Sequence, residues 1–161
     1  MVDCPRESDL AAMQAWRIVH RNFSQMDGEG SARHPGRWNG PDQRTIYAGG
    51  SFAIAMLERL CYTGIGRVPR TDVCLEIDIP DVLIEVFDPV AHPGWDRMRS
   101  SVAKSFGVKW HAQARSVALR VPSAVTKVDW NLVLNRDHPD FAAVSWTVPR
   151  PVMWDSRLFR R

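Results

Sequence analysis

Lysine is scarce in this sequence. Of 21 basic residues only Lys104, Lys109 and Lys127 are lysine, and they form no stripe. A lysine-rich face of the kind that tracks a nucleic-acid backbone is therefore absent, and no helix-turn-helix or aromatic RNA-binding motif is visible. Cysteine is equally sparse: Cys4, Cys61 and Cys74 are odd in number and form no CxxC pair, which excludes a disulfide framework or zinc ribbon and fits a reducing cytoplasm. Cys61 and Cys74 sit in apolar stretches and are expected in the core. No apolar run approaches 18 residues, and Met1 to Leu10 carries Asp3, Glu7 and Asp9 in place of an apolar signal region. Neither secretion nor membrane insertion is expected. The five histidines show no HExxH or similar spacing, so no metal site is expected. Walker A and GxSxG sequences are missing too, which removes the commonest phosphate-loop and serine-hydrolase readings.

What is there is an ordinary globular composition. With 45% apolar and 24% charged residues over 161 positions, the chain suits one folded domain spanning 1–161, able to bury roughly 68 to 70% of its unfolded surface. Its net charge is only +3, carried by arginine. Arginine is favoured where a planar fork must grip phosphate or carboxylate, although GC-rich coding produces the same bias.

Along the chain, residues 16–23 alternate as a strand, placing Arg17, Val19, Arg21 and Phe23 on one face. Residues 24–43, rich in Gly, Pro, Asp and Ser, read as a long irregular loop, which in a small domain is usually functional. Gly28-Glu29-Gly30 begins like a dinucleotide fingerprint, but Arg33 stands where the third glycine belongs and no helix is expected to open there. Residues 45–48 form a short strand. Ser51 then caps a helix to about Tyr62, whose stripe of Ala53, Met56, Leu57, Leu60 and Cys61 should face the core, with Glu58 at its edge. Residues 73–79 are a half-buried strand with 83–87 as a possible neighbour; 95–106 read as a helix; 116–121, 131–135 and 143–148 read as strands. Many short strands with few helices indicate an α+β fold.

Five collinear segments resemble the RES domain. They are Trp16-Arg17-Ile18; Pro35-Gly36-Arg37-Trp38-Asn39; Ile46-Tyr47 through Ala55-Met56-Leu57-Glu58; Val121-Pro122-Ser123-Ala124-Val125; and Asn131 with Leu134-Asn135 and His138-Pro139-Asp140-Phe141. Together they cover residues 16–141. Pro35 replaces the first of two glycines usual before the Arg-Trp pair, which implies altered loop geometry. The resemblance implies an ADP-ribosyltransferase-like fold with mixed or antiparallel sheets and a few flanking helices, a bound NAD as substrate, and a partner antitoxin with an Xre-like DNA-binding region. It implies a cytoplasmic toxin of a type II toxin–antitoxin pair that breaks the nicotinamide–ribose bond by hydrolysis or phosphorolysis. Transfer of ADP-ribose to a protein target is the alternative, and an RNA-binding or RNA-cleaving toxin a third reading.

On that resemblance, Arg17 and Arg37 suit the pyrophosphate and adjacent ribose, Tyr47 the nicotinamide ring, and Glu58 the charge that develops at the anomeric carbon. Ser123 would bind a phosphate or orient Glu58, since no neighbour in sequence activates it as a nucleophile. Catalysis is thus expected of Glu58, Tyr47 and Arg37, and substrate binding of Arg17, Arg37, Tyr47 and Ser123. Each has a plainer role open to it: a strand arginine, a packed tyrosine, a glutamate paired to an arginine. Trp38 reads as structural, and Asn135 and His138 as turn formers.

Overall fold

The structure, a computed structural model, describes residues 11–63 and 68–159. Cys4, the acidic N-terminal stretch and the last two arginines of the tail lie outside the described residues. Among the described residues eight strands make one sheet: β1 (Ala12–His20), β2 (Thr45–Gly49), β3 (Asp72–Pro80), β4 (Ile84–Val86), β5 (Ala118–Pro122), β6 (Trp130–Asn135), β7 (Ser145–Trp146) and β8 (Arg150–Pro151). Their order is β4-β5-β6-β2-β1-β3-β7, with β8 also on β3. Every pairing is antiparallel except β4 with β5. Three helices accompany the sheet: α1 (Glu29–Arg33), α2 (Phe52–Thr63) and α3 (Ser101–Ala112). The expected α+β class is what is observed.

The middle strands are buried on both faces. Ala118, Leu132 and Leu134 join Ile46, Leu75, Ile77 and Ile79 in one apolar cluster, while Leu119, Val121 and Val133, one residue out of phase, meet Trp38, Phe87, Trp95 and Trp110 in another. In the second cluster Phe87 packs edge-on against Trp38 and Phe106, with ring centres 4.7 and 4.8 Å away, contacts each adding about 0.5–1.5 kcal/mol beyond area burial. Trp38 is thereby structural. Gly107 of α3 lets this happen: a Cβ there would lie 1.9 Å from the Trp38 carbonyl oxygen, so only glycine admits the helix against the loop.

Several sequence readings need correction. β1 ends at His20, and Arg21 to Phe23 turn off in a 3₁₀ turn capped by the His20 imidazole, so Arg21 and Phe23 do not share the face of Arg17. A helix does open after Gly28, because Gly28 takes φ +71° and turns the chain into α1. Arg33 and the antiparallel sheet still exclude a dinucleotide fold of the parallel type. β4 pairs with β5 and not with β3, since Pro80 ends β3 and the turn at Asp81–Leu83 carries the chain away. The helix expected from Trp95 begins only at Ser101, where the Ser100 hydroxyl accepts from the Ala103 N–H at 3.1 Å. Replacing Ser100 with Ala should cost about 1 kcal/mol, read as a lower melting temperature. The strand expected over 143–148 shrinks to Ser145–Trp146 because His138 caps a 3₁₀ turn at Pro139–Ala143. Trp154, beyond the last strand, packs against the small cluster of Ile18, Ala55 and Val152.

α2 is rotated from its expected setting. Ser51 caps it as predicted, accepting from the Ile54 N–H at 3.2 Å. The buried residues are Ile54 and Ala55, whereas Ala53, Leu57 and Cys61 are exposed. Cys61 is therefore not a core residue, and Cys74 is half-buried beside Ala55. The reason is local: a Cβ on Gly49 would stand 2.6 Å from the Ala55 N, so the helix seats on the end of β2 through Ala55 and brings Glu58, one turn on, over the sheet.

Candidate active site

The site occupies a fork in the sheet. β1 stays on β3 at every position from Ala12 to His20, yet β1 meets β2 only at Trp16 and Gly49. Continued pairing would set Arg17 opposite Ala48 and Ile18 opposite Tyr47; instead the strands part, and the space between them and α2 is open. Two adjoining chambers fill it. The one at the neck, about 220 Å³, is lined by Trp16, Arg17, Tyr47, Ala55, Glu58, Arg59, Tyr62 and Asn131 among others. The second, about 480 Å³, shares Arg17, Tyr47 and Tyr62 and opens toward Phe23, Asp27 and the α1 segment.

Glu58 is fixed at the neck by two donors on the same oxygen. Its Oε1 accepts from the Ser123 hydroxyl at 2.8 Å and from Asn131 Nδ2 at 2.6 Å. Ser123 is fully buried, and its Oγ also accepts from the N–H groups of Val125 and Thr126 at 3.1 and 3.3 Å. With both acceptor directions taken, the hydroxyl proton must point to Glu58. Ser123 thus has no face left for a phosphate; of its two expected roles the geometry supplies the orienting one. Oε2 of Glu58 takes part in neither bond and is uncommitted among the described residues. Replacing Asn131 with Ala should lower kcat about ten-fold or more with little change in KM, since it frees the carboxylate to rotate without touching the chamber's walls elsewhere.

Arg17 stands where the chambers meet. Its Nη2 donates to the Phe23 carbonyl at 3.2 Å, its Nε is buried without a partner, and burial pushes the guanidinium pKa down to about 10, opposed by nearby Asp27 and reinforced by Arg59. The group remains charged at neutral pH and is incompletely solvated, the condition in which an anionic ligand gains most. Arg59 is not free to serve it, being locked bidentate to the buried carboxylate of Asp72 at 2.7 and 2.9 Å. Asn131 Oδ1 is a second buried atom without a partner on this wall.

Tyr47 presents a half-buried ring to both chambers. Its hydroxyl donates to Asn39 Oδ1 at 2.7 Å and accepts from the Trp38 N–H at 3.0 Å, and burial raises its pKa well above the phenolic range. Asn39, fully buried, also receives the Gly36 N–H and donates to the carbonyls of Ser31, Gly40 and Gln43. One asparagine therefore organises the loop that sequence left irregular. Gly36 is required there, since a Cβ would come 2.7 Å from the Tyr47 hydroxyl.

Arg37 is not brought to the neck. Its Nη1 donates to the carbonyls of Trp95 and Arg97 at 3.0 and 2.7 Å, and it lines a separate depression of about 570 Å³ with Arg99, Ser101 and Lys104. Lys104 ties the same loop by donating to the carbonyls of Gly36 and Asn39. Among the described residues this depression shares Gly36 and Tyr62 with the fork. Asn135 and His138 lie in turns away from both chambers: Asn135 bonds the His111 carbonyl and the Asp137 N–H, and His138 caps its turn. Asn131, Arg59 and Tyr62 are site residues that sequence reasoning did not assign; Asn131 alone had a signal, its place in the last resembling segment. Among the described residues no three His, Cys, Asp or Glu converge as a metal-binding group, and no helix is long and apolar enough to cross a membrane.

Comparison with known proteins places the forked sheet. The solved toxin of the M. tuberculosis MbcT-MbcA toxin-antitoxin complex superposes with a TM-score of 0.65 over 88% of this chain and 85% of its own, at 17% identity, a likeness of fold. In sequence, residues 14–155 match the RES domain model, and the chain belongs to the RES domain family. Similar relatives include the Prs ADP-ribosylating toxin of Sphingobium sp. (strain YBL2), 33% identical over 91% of this chain and 96% of the relative. Toxin Res of Photorhabdus laumondii is 30% identical over 92% and 98%, and Toxin Res of Pseudomonas putida 30% over 91% and 100%.

Proposed function

We propose that this chain is the toxin of a type II toxin–antitoxin pair and that it consumes NAD by breaking the bond between nicotinamide and ribose. The observation that carries this reading is the Glu58 carboxylate, held through one oxygen by Ser123 and Asn131 in the chamber that also holds half-buried Arg17, whose buried Nε has no partner. When the C–N bond breaks, its electron pair leaves with nicotinamide, whose ring nitrogen loses its positive charge. The anomeric carbon gains oxocarbenium character until an acceptor oxygen adds and releases its proton. A fixed carboxylate next to that carbon stabilises the transition state more than the substrate, because the carbon's charge is greatest there. Arg17 takes the pyrophosphate and the Tyr47 ring face takes the nicotinamide. Arg37 is assigned to substrate oxygens from the adjoining depression and to loop support, with no part in bond breaking.

Water or inorganic phosphate is the acceptor in the first reading. A second, in which a protein side chain accepts ADP-ribose, is favoured by the name of the Sphingobium relative. The toxin–antitoxin complex of the structural neighbour supports an antitoxin partner, proposed here to carry an Xre-like DNA-binding region, to act in the cytoplasm and to cover the cleft around Tyr47 and Glu58.

Purified protein mixed with adenine-labelled NAD, with and without phosphate and cell lysate, tests this. Nicotinamide should be released, and the label should appear in ADP-ribose, its phosphate, or a protein band, naming the acceptor. No release and no labelled band under any condition would contradict the reading.

A further inference from the structure

We infer that Phe23 and Tyr62 form an aromatic clamp for the adenine of NAD at the mouth of the fork, an inference that rests on the NAD reading above. The neck chamber, at about 220 Å³, is below the usual size of a site for even a drug-sized ligand, so it holds one end of a dinucleotide and the rest must leave it. Two depressions adjoin it. The larger, beside Arg37, Arg99 and Lys104, offers Tyr62 as its one aromatic ring among the described residues and suits anions. The chamber beyond Arg17 is lined by both Phe23 and Tyr62, side chains 67% and 81% exposed.

Exposed aromatic rings are common singly, but two lining one chamber next to a substrate site offer a planar ligand two stacking faces. Phe23 is also not adrift, because its carbonyl accepts from Arg17 Nη2 at 3.2 Å, which ties the turn to the group assigned to the pyrophosphate. Tyr62 reaches both chambers from the last turn of α2, two turns of helix after the strand-seated Ala55. Glu58 lines only the neck chamber and Phe23 only the second, while Arg17 and Tyr62 border both, so a dinucleotide with its reacting ribose at Glu58 and its phosphates at Arg17 would bring its base to Phe23 and the outer side of Tyr62.

Calorimetric titration with ADP-ribose and with nicotinamide mononucleotide, for wild type, Phe23→Ala, Tyr62→Ala and Tyr62→Phe, decides the matter. Stacking of a base on an aromatic ring is commonly worth a ten-fold change in affinity or more. Each alanine variant should weaken ADP-ribose about ten-fold while the ratio of its affinity to that of the mononucleotide falls equally, and Tyr62→Phe should bind ADP-ribose as wild type does. Because both side chains are exposed, the alanine variants should melt with wild type. Undiminished ADP-ribose binding in the alanine variants, or equal loss for both ligands, would overturn the clamp even if wild type releases nicotinamide from NAD. Wild type that neither binds ADP-ribose nor releases nicotinamide would overturn the NAD reading itself, and the clamp with it.

Discussion

Glu58→Gln should lower kcat for nicotinamide release about a thousand-fold, roughly 4 kcal/mol of transition-state stabilisation, with a small change in KM and an unaltered melting temperature. The size follows from the fixed polarity of the neck. Ser123 and Asn131 both donate to Oε1, so a glutamine must place its carbonyl there and turn its NH₂ into the chamber. The substitution then removes a negative charge and also presents a donor to a carbon that is becoming positive. The same reasoning separates this residue from its supports, whose loss frees the carboxylate without discharging it. A Glu58→Gln enzyme with more than a tenth of wild-type kcat would mean that Oε2 does not face the reacting carbon. Steady-state release of nicotinamide, followed by chromatography, reads the effect.

Asp72→Ala should destabilise the fold by about 3 kcal/mol, a fall in melting temperature on the order of 6–12 °C for a chain of this size. Asp72 is 2% exposed at the start of β3, and its carboxylate accepts two bonds from Arg59 on α2. Removing it leaves a guanidinium unpartnered in a partly buried position beside Arg17, which already resists a second positive charge. The magnitude sits at the low end for a broken buried pair because Arg59 keeps a quarter of its side chain in solvent. The asymmetry of buried pairs gives a control: Arg59→Met with Asp72→Leu removes both charges and should recover much of the loss. Failure of the double variant to recover would show that the pair's cost lies in packing and not in the stranded charge.

The core strands were legible because apolar alternation and apolar runs are dictated by burial. Residues 73–79, 118–121 and 131–135 lie in strands, and the resembling segments 16–18 and 46–58, with Asn131 of the last one, supply most of the neck. The misreadings that bear on function lie around the site. The stripe on α2 was placed on Ala53, Met56, Leu57, Leu60 and Cys61, but Ala53, Leu57 and Cys61 are exposed, and the helix instead seats Ala55 and turns Arg59, a charged residue that a periodicity argument assigns to solvent, to the neck beside Glu58. The fork left no trace either, since strand pairing that stops after one position looks in sequence like pairing that continues. Arg37 was placed with Glu58 because both belong to the resemblance, whereas its guanidinium is held by carbonyls some sixty residues onward in sequence, a tertiary fact. The order of the 24–43 loop rests on Asn39, whose partners are backbone groups that any sequence would offer.

The central claim is that NAD is held in the β1–β2 fork with its glycosidic bond at Glu58, and a crystal structure of the inactive Glu58→Gln protein grown with NAD tests it most directly. The account predicts intact NAD with its nicotinamide ribose beside residue 58 and its phosphates at Arg17. Ordered NAD on any other surface, with the neck chamber empty of it, would contradict the account.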